Sequence, residues 1–425
     1  MKNDLALVFY YQRRNRYSFN ALAGALEDEH RFNTLPTFFP TTEERLFSQL
    51  REVLLRHEKV ILGISFFTIQ LWETAALMSR LKKSFGKRLF YMAGGPHPSG
   101  DPKGSLRLGF DLVVRGEGEE TLIEIVKTFQ KNEDWRKIQG IAFTDENGNF
   151  RQEGKRSPID LDNFLPGSFR HHKFGHIEIT RGCPHVCYFC QTPYLMGGKV
   201  RHRSIETICR FVKISKEKNR KDIRFITPDL FAYGSPDGKS INMEQLEKLL
   251  HSIRNIIKEE GRIFAGSFPS EVRPENVNEE TVALVKKYGN NDNIVIGAQS
   301  GSQRLLNLSH RGHSVEEAYR AVELTLKAGF KAYVDFIFGL PGETEEDINL
   351  TINMMDELAS QGARIHAHTF MPLPQTPYGK HDFSSVDPYL KEVAIVLNSR
   401  GYLFGDWVKQ EKMAQQIARY LKGIG

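Results

Sequence analysis

The sequence predicts an α/β protein in two parts: a doubly wound, Rossmann-like parallel sheet followed by a partial (β/α)6 barrel. Three observations carry this reading. Strand and helix signals alternate in two separate series, divided by a polar stretch at 151–170 that contains Pro158 and Pro166. The run VILGISFF at 60–67 is almost continuously apolar, as expected of a strand buried on both faces. A chain of 425 residues is also too long for one ordinary core. The expected division is 1–135 for the doubly wound domain, 136–170 for a hairpin and linker, 171–375 for the barrel and 376–425 for a helical C-terminal extension.

In the first part, strands are expected at 5–11, 60–67, 89–93 and 111–114, with a weaker one at 34–39. Helices are expected at 18–28, 42–57, 71–85 and 118–130, the first from the spacing of Ala21, Leu22, Ala25 and Leu26. A hairpin follows, with 140–145 turning at Glu146-Asn147-Gly148-Asn149. The barrel strands are placed at 176–180, 223–227, 263–268, 294–298, 332–338 and 364–370. Their helices run over 205–218, 242–260, 278–287, 314–328 and 344–359. Ser204, Asn278, Ser314 and Thr344 have the chemistry of N-caps, and Gly329 and Gly362 that of stops. Two further helices are expected near 388–397 and 409–421.

Composition excludes several classes. The chain is 40% hydrophobic and 26% charged, and it contains no run of eighteen apolar residues, so no membrane span is expected. The apolar start at 5–11 leads into Gln12-Arg13-Arg14 without a small-residue cleavage site, so it reads as a strand and not a signal peptide. Four cysteines, three of them in one short stretch, suit the reducing cytoplasm better than a disulfide framework. A net charge of +6 is mild at this length and argues for no particular anionic partner.

Those three cysteines, Cys183, Cys187 and Cys190, stand in TRGCPHVCYFC directly after a barrel strand. Three thiolates on one loop can wrap a single metal centre, because rigid elements hold the loop that presents them. A zinc ion completed by His176, His185 or His202 is one reading. A cubane iron–sulfur cluster with one iron left open is the other. Cys209 lies on the following helix and reads as a packing residue. The other strand ends of this half are also polar: Asp229; Ser267 with Ser270, Glu271 and Arg273; Gln299-Ser300-Gly301-Ser302-Gln303-Arg304; and Gly339-Leu340-Pro341-Gly342-Glu343. Barrels work at the carboxyl ends of their strands, so these groups share a face with the cysteine loop.

The cysteine spacing, with Phe189 before the last cysteine, resembles the CxxxCxΦC signature of the radical S-adenosylmethionine (SAM) superfamily. The resemblance implies a [4Fe-4S] cluster on Cys183, Cys187 and Cys190 that reductively cleaves SAM. It also implies an external one-electron reductant of ferredoxin or flavodoxin type. It places Phe189, Asp229, Ser267, Gln299, Ser300, Ser302, Arg311, Gly339 and Pro341 around SAM. Arg311, in SHRGHS, would pair the SAM carboxylate.

The strand ends of the first part, Ser65 in GISFFT, the turn GGPHP at 94–98 and RGEGEETL at 115–122, resemble the cobalamin-binding domains fused to such enzymes. That likeness assigns Tyr11, Ser65, Gly94, Gly95, His97, Gly116 and Glu117 to cobalamin. The DxHxxG histidine of the mutase type is missing, so cobalt is expected to have no imidazole beneath it. The barrel half is also similar to the tRNA methylthiotransferases. Their second cluster is excluded here, because the first 182 residues contain no cysteine. The combination implies cobalamin-dependent methylation of an unactivated carbon. Ring formation, C–C coupling or methylthiolation without methyl transfer from cobalamin, and a non-catalytic corrinoid or cluster sensor, are the alternatives. The sequence singles out no catalytic residue and no substrate.

Overall fold

The computed structural model describes residues 5–29 and 32–423, which fall into two compact units, 1–175 and 176–425. The first unit is built on a seven-stranded sheet of β1 (Leu5–Phe9), β2 (Thr37–Phe38), β3 (Lys59–Ser65), β4 (Phe90–Gly94), β5 (Leu112–Val114), β6 (Ile141–Thr144) and β7 (Phe150–Gln152). Their order is β2-β1-β3-β4-β5-β6-β7, the first five parallel and the last two antiparallel. All five residues of β1 and six of seven in β3 are buried, which is why both read as apolar runs. The chain leaves β1 towards β2 on one side and towards β3 on the other. The sheet therefore has a topological switch point at the carboxyl ends of β1 and β3, where open α/β sheets bind ligands.

Two expectations for this unit change. The hairpin of β6 and β7 is not a separate appendage but extends the sheet from β5. The polar stretch after it is pinned down as well: Leu165 N–H donates to Asp28, and Ser168 Oγ and Arg170 N–H donate to Glu27. Second, GGPHP is not a plain turn. Pro96–Gly100 and Pro102–Arg107 are short helices, each opened by a proline at a position where a missing N–H costs nothing.

The second unit carries two parallel sheets. β8 (Ile177–Glu178) is followed by a two-residue antiparallel pair, β9 (Thr180–Arg181) and β10 (Arg201–His202), and then by β11 (Asp222–Ile226) and β12 (Arg262–Phe264). β13 (Asn293–Gln299), β14 (Lys331–Phe338), β15 (Arg364–Thr369) and β16 (Leu403–Phe404) complete the unit. The sheets run β12-β11-β8 and β13-β14-β15-β16, and a parallel bridge between Val272 and Ile296 joins them. This is the expected six-stranded open barrel, without detected closure, and with a seventh short strand, β16, from the C-terminal extension.

Along β14 and β15, buried residues alternate with half-buried ones. Ala332, Val334, Phe336, Ile365 and Ala367 are fully covered, while Asp335, Ile337, His366 and His368 occupy the opposite, more open face. Asn278, Ser314 and Thr344 form capping boxes with Thr281, Glu317 and Asp347, and so fix where three of the helices begin. Among the described residues no helix is long and apolar enough to cross a membrane.

Candidate active site

The cysteine loop is clamped at its base by the β9–β10 pair. Gly182 has φ +86°, and a Cβ there would stand 2.3 Å from Lys199 O, so only glycine lets the two ends of the loop meet. Inside the loop, Cys190 N–H donates to Cys187 O at 3.1 Å and Tyr188 N–H to Ser309 O at 3.0 Å. Cys187 and Cys190 lie near enough to Cys183, and Cys187 near enough to Cys190, to raise those two thiols. Cys209 is influenced only by Lys213 and Glu206 on its own helix, apart from burial. Burial pushes the Cys183 thiol up to about 11 and raises Cys190 too, so these two are neutral without a metal and their ligation must release protons.

Beside them lies Arg311, 9% exposed. Its Nη2 donates to Gly297 O at 2.8 Å, and its Nη1 is 3.9 Å from Cys187 Sγ. No carboxylate pairs with it among the described residues. Burial first, then the neighbouring Arg273, holds its guanidinium below the ordinary value. A buried cation without an anion is costly, and this one points at a thiol cluster. A Cβ on Gly297 would come within 2.8 Å of Arg311 Nη2 and 2.7 Å of Gln299 Nε2, which explains the glycine. Buried polar atoms without a hydrogen-bond partner gather in the same loops: Arg311 Nε, Ser267 Oγ, His185 Nε2 and His313 Nδ1. Three thiols, an unpaired guanidinium and these orphaned groups fit an iron–sulfur cluster with an open iron and a polar, carboxylate-bearing ligand beside it. His202 is not available to complete a zinc site. Both ring nitrogens of His202 are occupied, by Thr180 Oγ1 and Ser235 O at 2.9 Å each.

Several residues assigned to SAM on resemblance are spent on building loops. Asp229 is fully enclosed and accepts from Asn276 Nδ2 at 2.6 Å, Phe231 N–H and Arg273 N–H; burial pushes it up to about 6. Ser300 Oγ meets Thr351 Oγ1 at 3.2 Å, and Ser302 caps Gln303–Leu308 and donates to Asp347. Their side chains face other protein groups because the Ser-Gly-Ser loop must be tied to the helix Glu345–Ser360. Phe189 packs with Tyr188 against Leu305, Leu340, Phe370 and Tyr378, joining the cysteine loop to the loops after β13 and β14. Gly339 has φ +72° and its N–H donates to Glu343 at 2.9 Å; Pro341 is buried beside it. The sequence places Arg273 on the working face, but the resemblance assigns it no role at SAM. It is 3% exposed, ion-paired with Glu275 at 2.6 Å, and donates to Arg311 O. Its position just behind Ser267 and Glu271 was the available signal.

In the first unit the switch point is fastened by Asn15, which the sequence did not single out. Its Nδ2 donates to Tyr10 O at 3.1 Å and Ser65 O at 2.9 Å, bridging the ends of β1 and β3. Gly94 faces open space, whereas a Cβ on Gly95 would stand 2.5 Å from Ser65 Oγ. Gly94 is therefore the glycine that leaves room for a ligand, and Gly95 (φ +92°) the one the turn needs. Gly116 N–H donates to Ser99 Oγ at 3.0 Å, and Glu117 accepts from Ile159 N–H at 2.9 Å. Tyr11 donates to Asn20 at 2.9 Å. His97 is wholly buried, held by Thr68 Oγ1 at 3.1 Å and packed on Phe66. It shapes the fold under the turn and does not lie on a ligand surface. With Gly94 facing open space at the switch point and His97 wholly buried, the carboxyl ends of β1 and β3 fit a planar group approaching the glycine edge.

Residues 177–355 match the radical SAM superfamily and residues 16–126 match the B12 binding domain. The chain is a radical SAM enzyme with a B12-binding domain. Its cofactors are a [4Fe-4S] cluster, SAM and cobalamin. An uncharacterized methyltransferase of Pyrococcus horikoshii is 27% identical over 419 residues, 94% of this chain and 84% of the relative. A tRNA-2-methylthio-N(6)-dimethylallyladenosine synthase of Thermosipho africanus is 28% identical over 254 residues, covering 58% of this chain and 56% of that protein. Among solved structures, the radical S-adenosylmethionine methyltransferase TsrM of Kitasatospora setae, with cobalamin and a [4Fe-4S] cluster bound, shares the fold. Its TM-score is 0.69 at 17% identity, over 89% of this chain and 77% of TsrM. OxsB, a cobalamin-dependent S-adenosylmethionine radical enzyme, has a TM-score of 0.68 at 16% identity, over 93% of this chain and 61% of OxsB. The radical SAM match spans every strand from β8 to β14, and with them all three clustered cysteines.

Proposed function

We propose that this radical SAM enzyme transfers a methyl group from SAM, by way of cobalamin, to an unactivated carbon. The reading rests on one observation above others: a buried Arg311 without a carboxylate partner among the described residues beside three gathered thiols, in a chain that also carries a B12-binding domain. Cys183, Cys187 and Cys190 hold the cluster, and Arg311 receives the SAM carboxylate. Gln299 and Ser267 stand at the strand ends to meet the rest of SAM. Gly94 and the switch point held by Asn15 receive the corrinoid. When bound, the cluster supplies the electron that cleaves SAM and the corrinoid carries the methyl group; the protein supplies placement and exclusion of water. The electron comes from a small external reductant of ferredoxin or flavodoxin type.

Phe189, wedged among apolar residues of two other loops, keeps the cysteine loop rigid and dry on that side. Arg273 steadies Arg311 by bonding its carbonyl and lends a second positive charge. A turnover with substrate is expected to release 5′-deoxyadenosine and S-adenosylhomocysteine in equal amounts. Turnover that forms 5′-deoxyadenosine without S-adenosylhomocysteine would move the protein to ring formation or coupling.

A further inference from the structure

The barrel half contains a polar cluster outside the residues assigned above to the cofactors. Asp335 on β14 is the register partner of His366 on β15, and His366 is the register partner of Phe404 on β16. His368 lies two residues further along β15 on the same face. Ile337, two residues beyond Asp335, packs into the apolar group that includes Tyr188 and Phe189. The face that carries the cluster is therefore the one the cysteine loop covers. Among the described residues, Asp335, His366 and His368 offer one ligand atom each within 4.8 Å of the others.

Their hydrogen bonds contradict one another. Gln410 Oε1 accepts from Thr369 N–H at 2.8 Å, so the Gln410 amide nitrogen is the group 3.3 Å from His368 Nδ1. That nitrogen is a donor, which leaves the His368 proton on Nε2, aimed at His366 Nδ1 3.2 Å away. His366 Nδ1 must then be bare to accept it. The Asp335 carboxylate 2.8 Å from the same Nδ1 asks for a proton there. One ring nitrogen cannot serve both.

A divalent ion removes the conflict. His366 Nδ1 stands 2.8 Å from Asp335 and 3.2 Å from His368 Nε2, and all three lie within 4.8 Å of one another; the two short spacings are those of neighbouring ligands on an ion with bonds of about 2.0–2.2 Å. The His368 proton would move to Nδ1, and Gln410 Oε1 would shift to accept from it while still accepting from Thr369 N–H, an outer support of the kind ligating imidazoles use. The ring of His366 is already set for this, stacked on Phe404 at 4.5 Å and 7°. Glu271 stands close enough to feel the charges of both Asp335 and His366.

We propose that Asp335, His366 and His368 form a two-histidine, one-carboxylate site for a divalent transition-metal ion of the zinc class. Its remaining coordination positions are open to an oxygen or nitrogen donor of a bound substrate. The inference depends on no step of methyl transfer. The test is equilibrium dialysis of the full chain, with its cluster reconstituted, against zinc, counting iron and zinc together. About one zinc per chain is expected beyond the iron. Asp335→Asn and His366→Ala are expected to weaken zinc binding by roughly 10–100-fold while keeping the iron. Gln410→Glu, which offers His368 Nδ1–H an acceptor, is expected to tighten it by about tenfold. No zinc above the iron sites in the parent chain would overturn the proposal, as would zinc retained unchanged by both weakening variants. Should those variants lose their iron through misfolding, an unaltered affinity in Gln410→Glu would overturn it.

Discussion

Arg311 concentrates the chemistry of the catalytic half in one side chain. It is a buried guanidinium with a carbonyl on one nitrogen and a thiol near another, and no carboxylate paired with it among the described residues. Arg311→Ala is expected to leave about four irons per chain and weaken SAM binding at least tenfold in equilibrium dialysis. Arg311→Lys is expected to recover little, because a point charge cannot reproduce the planar fork. In the first unit, Gly94→Leu is expected to expel the corrinoid while leaving the unfolding midpoint nearly unchanged. Gly95→Ala is expected instead to lower that midpoint, since its Cβ meets Ser65 Oγ and the Phe66 backbone. Corrinoid absorbance and urea titration read both. At this scale the sequence was informative about residue type and poor about direction. The three cysteines gather on one loop and Arg311 lies beside Cys187. Ser300, Ser302, Asp229 and His97 turn their polar atoms into the protein. A side chain that satisfies a loop and one that greets a ligand have the same one-letter code.

The loops that frame the site are held by one carboxylate. Asp347, 2% exposed, accepts from Ser302, Arg304 and both Thr344 N–H and Oγ1, so it ties the loop after β13 to the start of Glu345–Ser360. Removing it leaves several buried donors unpaired, and Asp347→Ala is expected to cost about 2–4 kcal/mol in urea unfolding. Glu343 in the next loop behaves oppositely. Burial pushes its carboxyl from the ordinary 4.5 up to about 7, despite the bond from Gly339 N–H. The native state therefore keeps a proton that the unfolded chain has already lost. The stabilisation is complete below about pH 4.5 and is lost as pH rises through 7. Relative to Glu343→Gln, which keeps an acceptor for Gly339, the parent is expected to lose on the order of 2 kcal/mol between pH 4.5 and 8. A flat difference across that range would contradict it. Long elements were legible because periodicity accumulates along them, and Asn278, Ser314 and Thr344 announce helix starts by chemistry. The two-residue β16 and the short helices at 96–107 were not, since neither spans enough residues to show a period.

On the scale of the whole chain, two cofactor sites lie in two units, and each has its own residues and readout. Replacing Cys183, Cys187 and Cys190 together is expected to abolish iron and leave corrinoid in place. Gly94→Leu is expected to do the reverse, with about four irons retained. Metal and corrinoid analysis of the same anaerobic samples checks the pair, and joint loss of both cofactors in either variant would contradict separate sites. The central claim, that SAM methylates the bound corrinoid on its way to a carbon acceptor, can be tested before any substrate is known. Reduced enzyme carrying both cofactors is incubated with SAM deuterated in its methyl group, and the corrinoid is extracted and weighed by mass spectrometry. Deuterated methylcobalamin is the expected result from the parent chain, with Arg311→Ala giving much less. Corrinoid that stays unmethylated under those conditions would contradict the account.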